Sequence, residues 1–267
     1  MTSGDTSITK TWRRGCGYVV ASCIFFAAAT GFFALRPVWE AKRVEQSLTD
    51  RFGEVPAWSP APDGAVPPDR IEAFLRVREQ LREPCVRFED NRRKLEEFGR
   101  MEKEGEMSSE GVLDGFKTAL SFGPAFLHLM NSRNEALVEE SMGLGEYFYI
   151  YVLAYGDQLS SLNSEPGQKH LLKPRTKREL TRILHNQLET LGDHSGEGES
   201  SDLRAAIQEE IVALESGAHA FPWQSGLPSA IEASLEPYED RLDNLFCEAA
   251  VTFELRQKNK NLVGFRE

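Results

Sequence analysis

The sequence predicts an all-α protein: an N-terminal transmembrane helix followed by an irregular helical bundle. Three observations carry that prediction. Residues 15–35, GCGYVVASCIFFAAATGFFAL, contain no charged side chain. Through the rest of the chain apolar residues recur three and four positions apart, the spacing of one helix face. Runs of β-branched residues alternating with polar ones are nearly absent, so strands are not expected.

The uncharged run sets the organisation. At about 1.5 Å per residue it makes a helix about 31 Å long, which matches a hydrocarbon core of about 30 Å. A helix satisfies its own backbone hydrogen bonds, so a lone span is viable in lipid. A cleavable leader has an apolar region of only about 7 to 15 residues, and cutting after Ala29 would leave TGFFAL at the new terminus. Val20-Ala21-Ser22-Cys23 looks like a bacterial lipobox with Cys23 as the lipid-bearing residue. A lipoprotein turns polar after that cysteine, whereas IFFAAATGFFAL continues here. An uncleaved anchor is expected.

Lys10, Arg13 and Arg14 precede the span and Arg36, Lys42 and Arg43 follow it, so the positive-inside rule gives no orientation. The short basic tail 1–14 resembles that of a signal anchor and is assigned to the cytoplasm. The chain then reads as a single-pass inner membrane protein with its C-terminal domain in the periplasm. Gly17 with Ala21, and Ala27 with Gly31, have the spacing through which two membrane helices approach closely, although small residues are common in any span. Self-association through residues 15–35 is compatible with this.

Beyond the span, Val38, Ala41, Val44, Leu48 and Phe52 lie at helical spacing and predict a stalk over 36–52. GEVPAWSPAPDGAVPPD, residues 53–69, is dense in proline and predicts an extended, stiff linker. A helical domain is expected over 70–257, with a tail at 258–267. Its first helix uses Ile71, Phe74, Leu75, Val77 and Leu81, and Pro84 must kink or restart it. A surface helix over 85–103 and a segment broken at Gly123-Pro124 follow. Pro174, Thr176 and Glu179 open a helix with a capping box, and Leu180, Ile183, Leu184, Leu188 and Leu191 form its buried face. Helices over 202–216 and 237–257 complete the series.

The stretch GEYFYIYVLAYGD is apolar all round from Tyr147 to Tyr155. At about 13 Å of helix it is too short to span a bilayer and belongs at the centre of the bundle. Its tyrosine hydroxyls need partners, for which Glu135, Glu139, Glu140 and nearby arginines are available.

Composition excludes one partner class. A net charge of −11, with no basic cluster free of acids, argues against nucleic acid. No cofactor or metal site is expected. His128, His170, His185, His194 and His219 form no HExxH pattern, and His185 with Glu189 supplies only two ligands on one helical turn. The loop from Asp193 begins like a calcium loop but places Arg204 where the bidentate glutamate belongs. Gly143-Leu144-Gly145 is not a phosphate loop, and Ser141 has no histidine near it in sequence. Cys85 and Cys247 are the cysteines outside the anchor and form the candidate disulfide; free buried cysteines are the alternative.

These features predict a membrane-anchored, non-enzymatic helical domain that binds or scaffolds a protein of the cell envelope. The alternative is an envelope hydrolase or metal-dependent enzyme whose residues gather only in three dimensions.

Overall fold

Residues 39, 42–104, 109–164, 172–193 and 199–255 are described by the structure, a computed structural model. The predicted span 15–35, the tail 1–14 and the tail 258–267 lie outside them. Contacts divide the chain into units Met1–Arg43 and Val44–Glu267, and the account below concerns the second.

Helix α1 covers residues 42–52 and buries Leu48, the one fully enclosed side chain among the described stalk residues. Helix α2, Pro68–Gln80, opens on a proline whose missing N–H costs nothing at a helix start. It sends Ile71, Phe74, Leu75 and Val77 inward. A single turn residue, Leu81, separates it from α3, Arg82–Glu104. Pro84 falls in the first turn of α3, so it restarts the helix as its chemistry requires.

Helix α4, Ser109–Glu139, runs unbroken through Gly123-Pro124, where the sequence predicts an interruption. Proline removes one backbone bond and bends a helix without having to end it. Here α3 and α4 lie along one another. Phe88 of α3 meets Phe122 and Phe126 of α4 at ring separations of 5.1 and 6.3 Å, on both sides of the proline.

Helix α5, Leu144–Ala154, is the expected central element, with every residue from Tyr147 to Leu153 buried. Helices α6, Gly156–Asn163, and α7, Pro174–Asp193, follow, and α7 pairs with α8, Glu199–Ser216. The predicted face of α7 is inside, but its capping box does not form. Thr176 sits within the first turn and donates to the Leu255 carbonyl at 2.9 Å, while Glu179 takes Arg175. The short α9, Ser229–Leu235, leads to the C-terminal region. Among the described residues no strand occurs, and the body is a helical bundle.

Two expectations fail for tertiary reasons. The proline-rich stretch is fastened to the body rather than extended away from it. A 3-10 turn forms at Val55–Ala57, Val55 and Val66 are buried, and Asn186 of α7 donates to the Pro56 and Trp58 carbonyls at 2.9 and 3.0 Å. Gly145 permits this approach: a Cβ there would stand 2.6 Å from the Val55 carbonyl oxygen. The long helix expected over 237–257 is instead two short ones, α10, Glu239–Asp243, and α11, Val251–Glu254, with Cys247 extended between them.

The break serves the core. Arg78 of α2 is 2% exposed and Glu254 of α11 is 2% exposed, and they meet at 2.8 Å. Arg78 also donates to the Tyr147 hydroxyl at 3.0 Å and to the Leu245 carbonyl at 2.8 Å, an acceptor that a continuous helix would have consumed. Tyr147 in turn donates to Glu254 at 3.0 Å, and Arg133 of α4 reaches the second carboxylate oxygen at 3.3 Å. The glutamates expected to serve the tyrosines are engaged elsewhere or exposed. Glu139 accepts from Gln80, Glu140 from Arg76, and Glu135 faces outward. Tyr151 and Tyr155 make no hydrogen bond through their hydroxyls, and their rings instead flank the Arg78 guanidinium at 5.4 and 5.5 Å. Burial opposes the Arg78 charge, but the Tyr147 and Tyr155 hydroxyls and the Glu254 carboxylate outweigh it and hold its pKa well above the ordinary arginine value.

Replacing Glu254 by leucine leaves two guanidinium groups without their shared anion. The expected loss is about 3–5 kcal/mol, read from the urea midpoint. Burial raises the pKa of the Tyr147, Tyr149, Tyr151 and Tyr155 hydroxyls. The folded chain therefore holds these protons more tightly than the unfolded chain. Stability contributed this way is intact below about pH 10 and falls as pH rises, by up to about 1.4 kcal/mol per pH unit for each ring. Thermal unfolding between pH 9 and 12 is expected to show a steep alkaline decline.

Candidate binding clefts around Trp223

Between α8 and α9 the chain reads GAHAFPWQSGLP, residues 217–228. Gly217 ends α8 in the left-handed region, with φ of 85°, where the absent Cβ removes the penalty. The His219 N–H then returns to the Ala213 carbonyl at 3.0 Å. Phe221 is fully buried and Trp223 nearly so, which pins the loop to the body. Trp223 adopts φ of 62°, a conformation that costs an ordinary residue about 1–2 kcal/mol. Burial of its ring sustains that strain. The ring lies by α5: the indole N–H stands near the Tyr149 hydroxyl, though neither completes a hydrogen bond, and the Tyr149 ring packs against Trp58 at 5.1 Å with the planes tilted by 46°.

Side chains clamp the loop further. The His219 ring meets the buried Glu210 carboxylate through Nδ1 at 2.9 Å and the Ser225 Oγ through Nε2 at 3.0 Å. Gln224 accepts from the Ala220 N–H at 2.9 Å.

The fixed loop stands as a ridge between two clefts, and Trp223, Gly226 and Leu227 line both. One, of about 820 Å³, has Leu191, Leu203, Ala206 and Pro228 in its walls and Asp63 and Asp202 beside them. The other, of about 430 Å³, is floored by Leu153, Leu235 and Leu242 and edged by Asp157, Glu232, Glu239 and Asp243. No lysine or arginine is among the described residues lining either cleft. The combination of apolar floor and acidic edge suits a ligand that is greasy on one side and positively charged on the other.

The residues singled out from the sequence do not converge here. His128 and His185 are exposed, as are Glu135 and Glu139, while Glu146 pairs with Arg70 at 2.6 Å. His185 and Glu189 face outward without a third ligand, and no group of three metal-binding side chains occurs among the described residues. His170, and His194 of the Asp193 loop, lie outside the described residues. Ser141 accepts from Arg51 at 3.2 Å and has no histidine partner. Cys85, in the first turn of α3, and Cys247 lie with their sulfurs in bonding contact and their Cα atoms 6.4 Å apart, within the usual range for a bridged pair. The Trp223 ridge was missed because its lining comes from separated segments. Its only local sign was the FPWQSGLP string itself.

No family model, no curated protein and no solved structure matches this chain.

Replacing His219 by alanine deprives a buried carboxylate of its partner and releases the loop. The expected loss is about 1–3 kcal/mol, measured by urea denaturation, together with a red shift of Trp223 fluorescence.

Proposed function

We propose that this chain is a single-pass, membrane-anchored helical domain of the cell envelope that holds a partner protein. The partner would present a basic, apolar-faced segment to the paired clefts at Trp223. The observation that carries this reading is the chemistry of those clefts, with leucines below, carboxylates at the edge and no lysine or arginine among the described residues of their linings. The net charge of −11 adds long-range attraction for a cationic partner. The uncharged run 15–35 supports an anchor in the inner membrane. The adjacency of Cys85 and Cys247 supports a periplasmic body, since disulfides persist in oxidising compartments.

The test uses the full-length chain in detergent and an amphipathic helical peptide bearing lysine on its polar face. Micromolar binding is expected, weakening as salt rises. The exposed reversals Glu232→Lys and Glu239→Lys together should reduce affinity at least tenfold without moving the melting temperature. Equal binding of the same peptide with glutamate replacing lysine, or indifference to the reversals, overturns the docking role. In cells, the chain should stay with membranes through a carbonate wash and shift in mobility when its cysteines are reduced. Release into the wash with residues 1–40 intact overturns the anchor.

A further inference from the structure

The contacts of His219 go further than a loop clamp requires. The Glu210 carboxylate is buried and, as an anion, only accepts hydrogen bonds, so its bond at 2.9 Å places a proton on His219 Nδ1. In the neutral imidazole the other ring nitrogen, Nε2, then carries the lone pair, and it faces the Ser225 Oγ at 3.0 Å. Carboxylate, imidazole and hydroxyl thus stand in the order by which a serine is made nucleophilic. A clamp holding only the loop would be complete with the Glu210 contact.

The surroundings agree. Ser225 is exposed, His219 is partly covered and Glu210 is buried, so the relay runs outward from the core to the surface. Ser225 is bracketed by Trp223 in the left-handed region and by Gly226 at φ of 131°. Backbone held this way over-determines where a side chain points. Ser225 lines neither cleft, but its neighbours Trp223, Gly226 and Leu227 line both.

We infer that Ser225, His219 and Glu210 form a hydrolytic centre for carboxylic esters. Ser225 Oγ adds to the ester carbonyl while its proton passes to His219 Nε2. The bond to the alcohol oxygen breaks, and that oxygen leaves with the proton. Water then attacks the acyl-serine through the same histidine, releasing the acid and restoring the hydroxyl. Glu210 is a positioning residue. The net charge of −11 disfavours anionic esters at this exposed serine and favours neutral or cationic ones. This activity stands apart from the docking role, because a small ester tests it without any peptide partner.

The detergent-solubilised full-length chain is treated with an alkyl fluorophosphonate at pH 8 and the adduct is located by mass spectrometry. Ser225 should be modified, with Ser225→Ala abolishing the adduct and His219→Gln slowing it at least a hundredfold. Butyrate p-nitrophenyl ester should be turned over at a rate that falls in parallel, and the same assay on butyrate bearing a carboxylated alcohol should be slower. Glu210→Gln should lower kcat at least tenfold with KM within twofold; a purely structural role would leave both in place in the folded chain. An unmodified Ser225 in the wild-type chain overturns the inference. So does modification that His219→Gln does not slow. Melting temperatures of the three variants within about 3 °C of the wild type separate loss of chemistry from loss of fold.

Discussion

The buried ion pair between Arg78 and Glu254 governs the architecture more than any apolar contact does. The two residues lie far apart in the chain, yet α2, α4, α5 and α11 all contribute to the network around them. A buried guanidinium is tolerable only when its donors are satisfied and its charge is matched. The two terminal nitrogens of Arg78 take a carboxylate, a tyrosine hydroxyl and a free backbone carbonyl, each of which shapes an element, while its Nε–H is left without a partner. The Leu245 carbonyl is available because the C-terminal helix is interrupted, and the ring faces of Tyr151 and Tyr155 cover the remaining surface of the cation. The tyrosine-rich helix is thereby the lining of a charge rather than a simple greasy core.

The ridge at Trp223 depends on a second, weaker set of constraints. Its backbone strain is sustained by two buried rings and by the bridging histidine, so the loop is a rigid feature among helices. Rigidity there matters because the clefts on either side borrow their walls from α6, α7, α8 and α9, and a mobile ridge would close or merge them. The acidic edges repel one another, a small destabilisation that a cationic ligand would relieve.

Helix content and the central place of residues 147–155 were legible in the sequence because both follow from periodicity and all-round hydrophobicity, which are local properties. The restart at Pro84 was legible for the same reason. Pro124 was misread: a missing N–H weakens a helix locally, but the aromatic contacts of Phe88 lie outside the window a local rule sees. Thr176 and Glu179 fit a capping box in spacing, yet the Leu255 carbonyl competed for the hydroxyl and won. The proline-rich stretch looked like a spacer because composition reports stiffness and not docking.

The sequence by itself determined the helical class, the inward stripes of α2 and α7, and the absence of an expected strand, since each rests on the chemistry of neighbours a few residues apart. It also set the excess of acid over base. Only the tertiary structure decided that Arg78 would meet Glu254, that the C-terminal helix would break, and that Glu210, His219 and Ser225 would align. Those outcomes turn on which distant groups compete for a given hydrogen bond, and that competition exists only once the chain has folded.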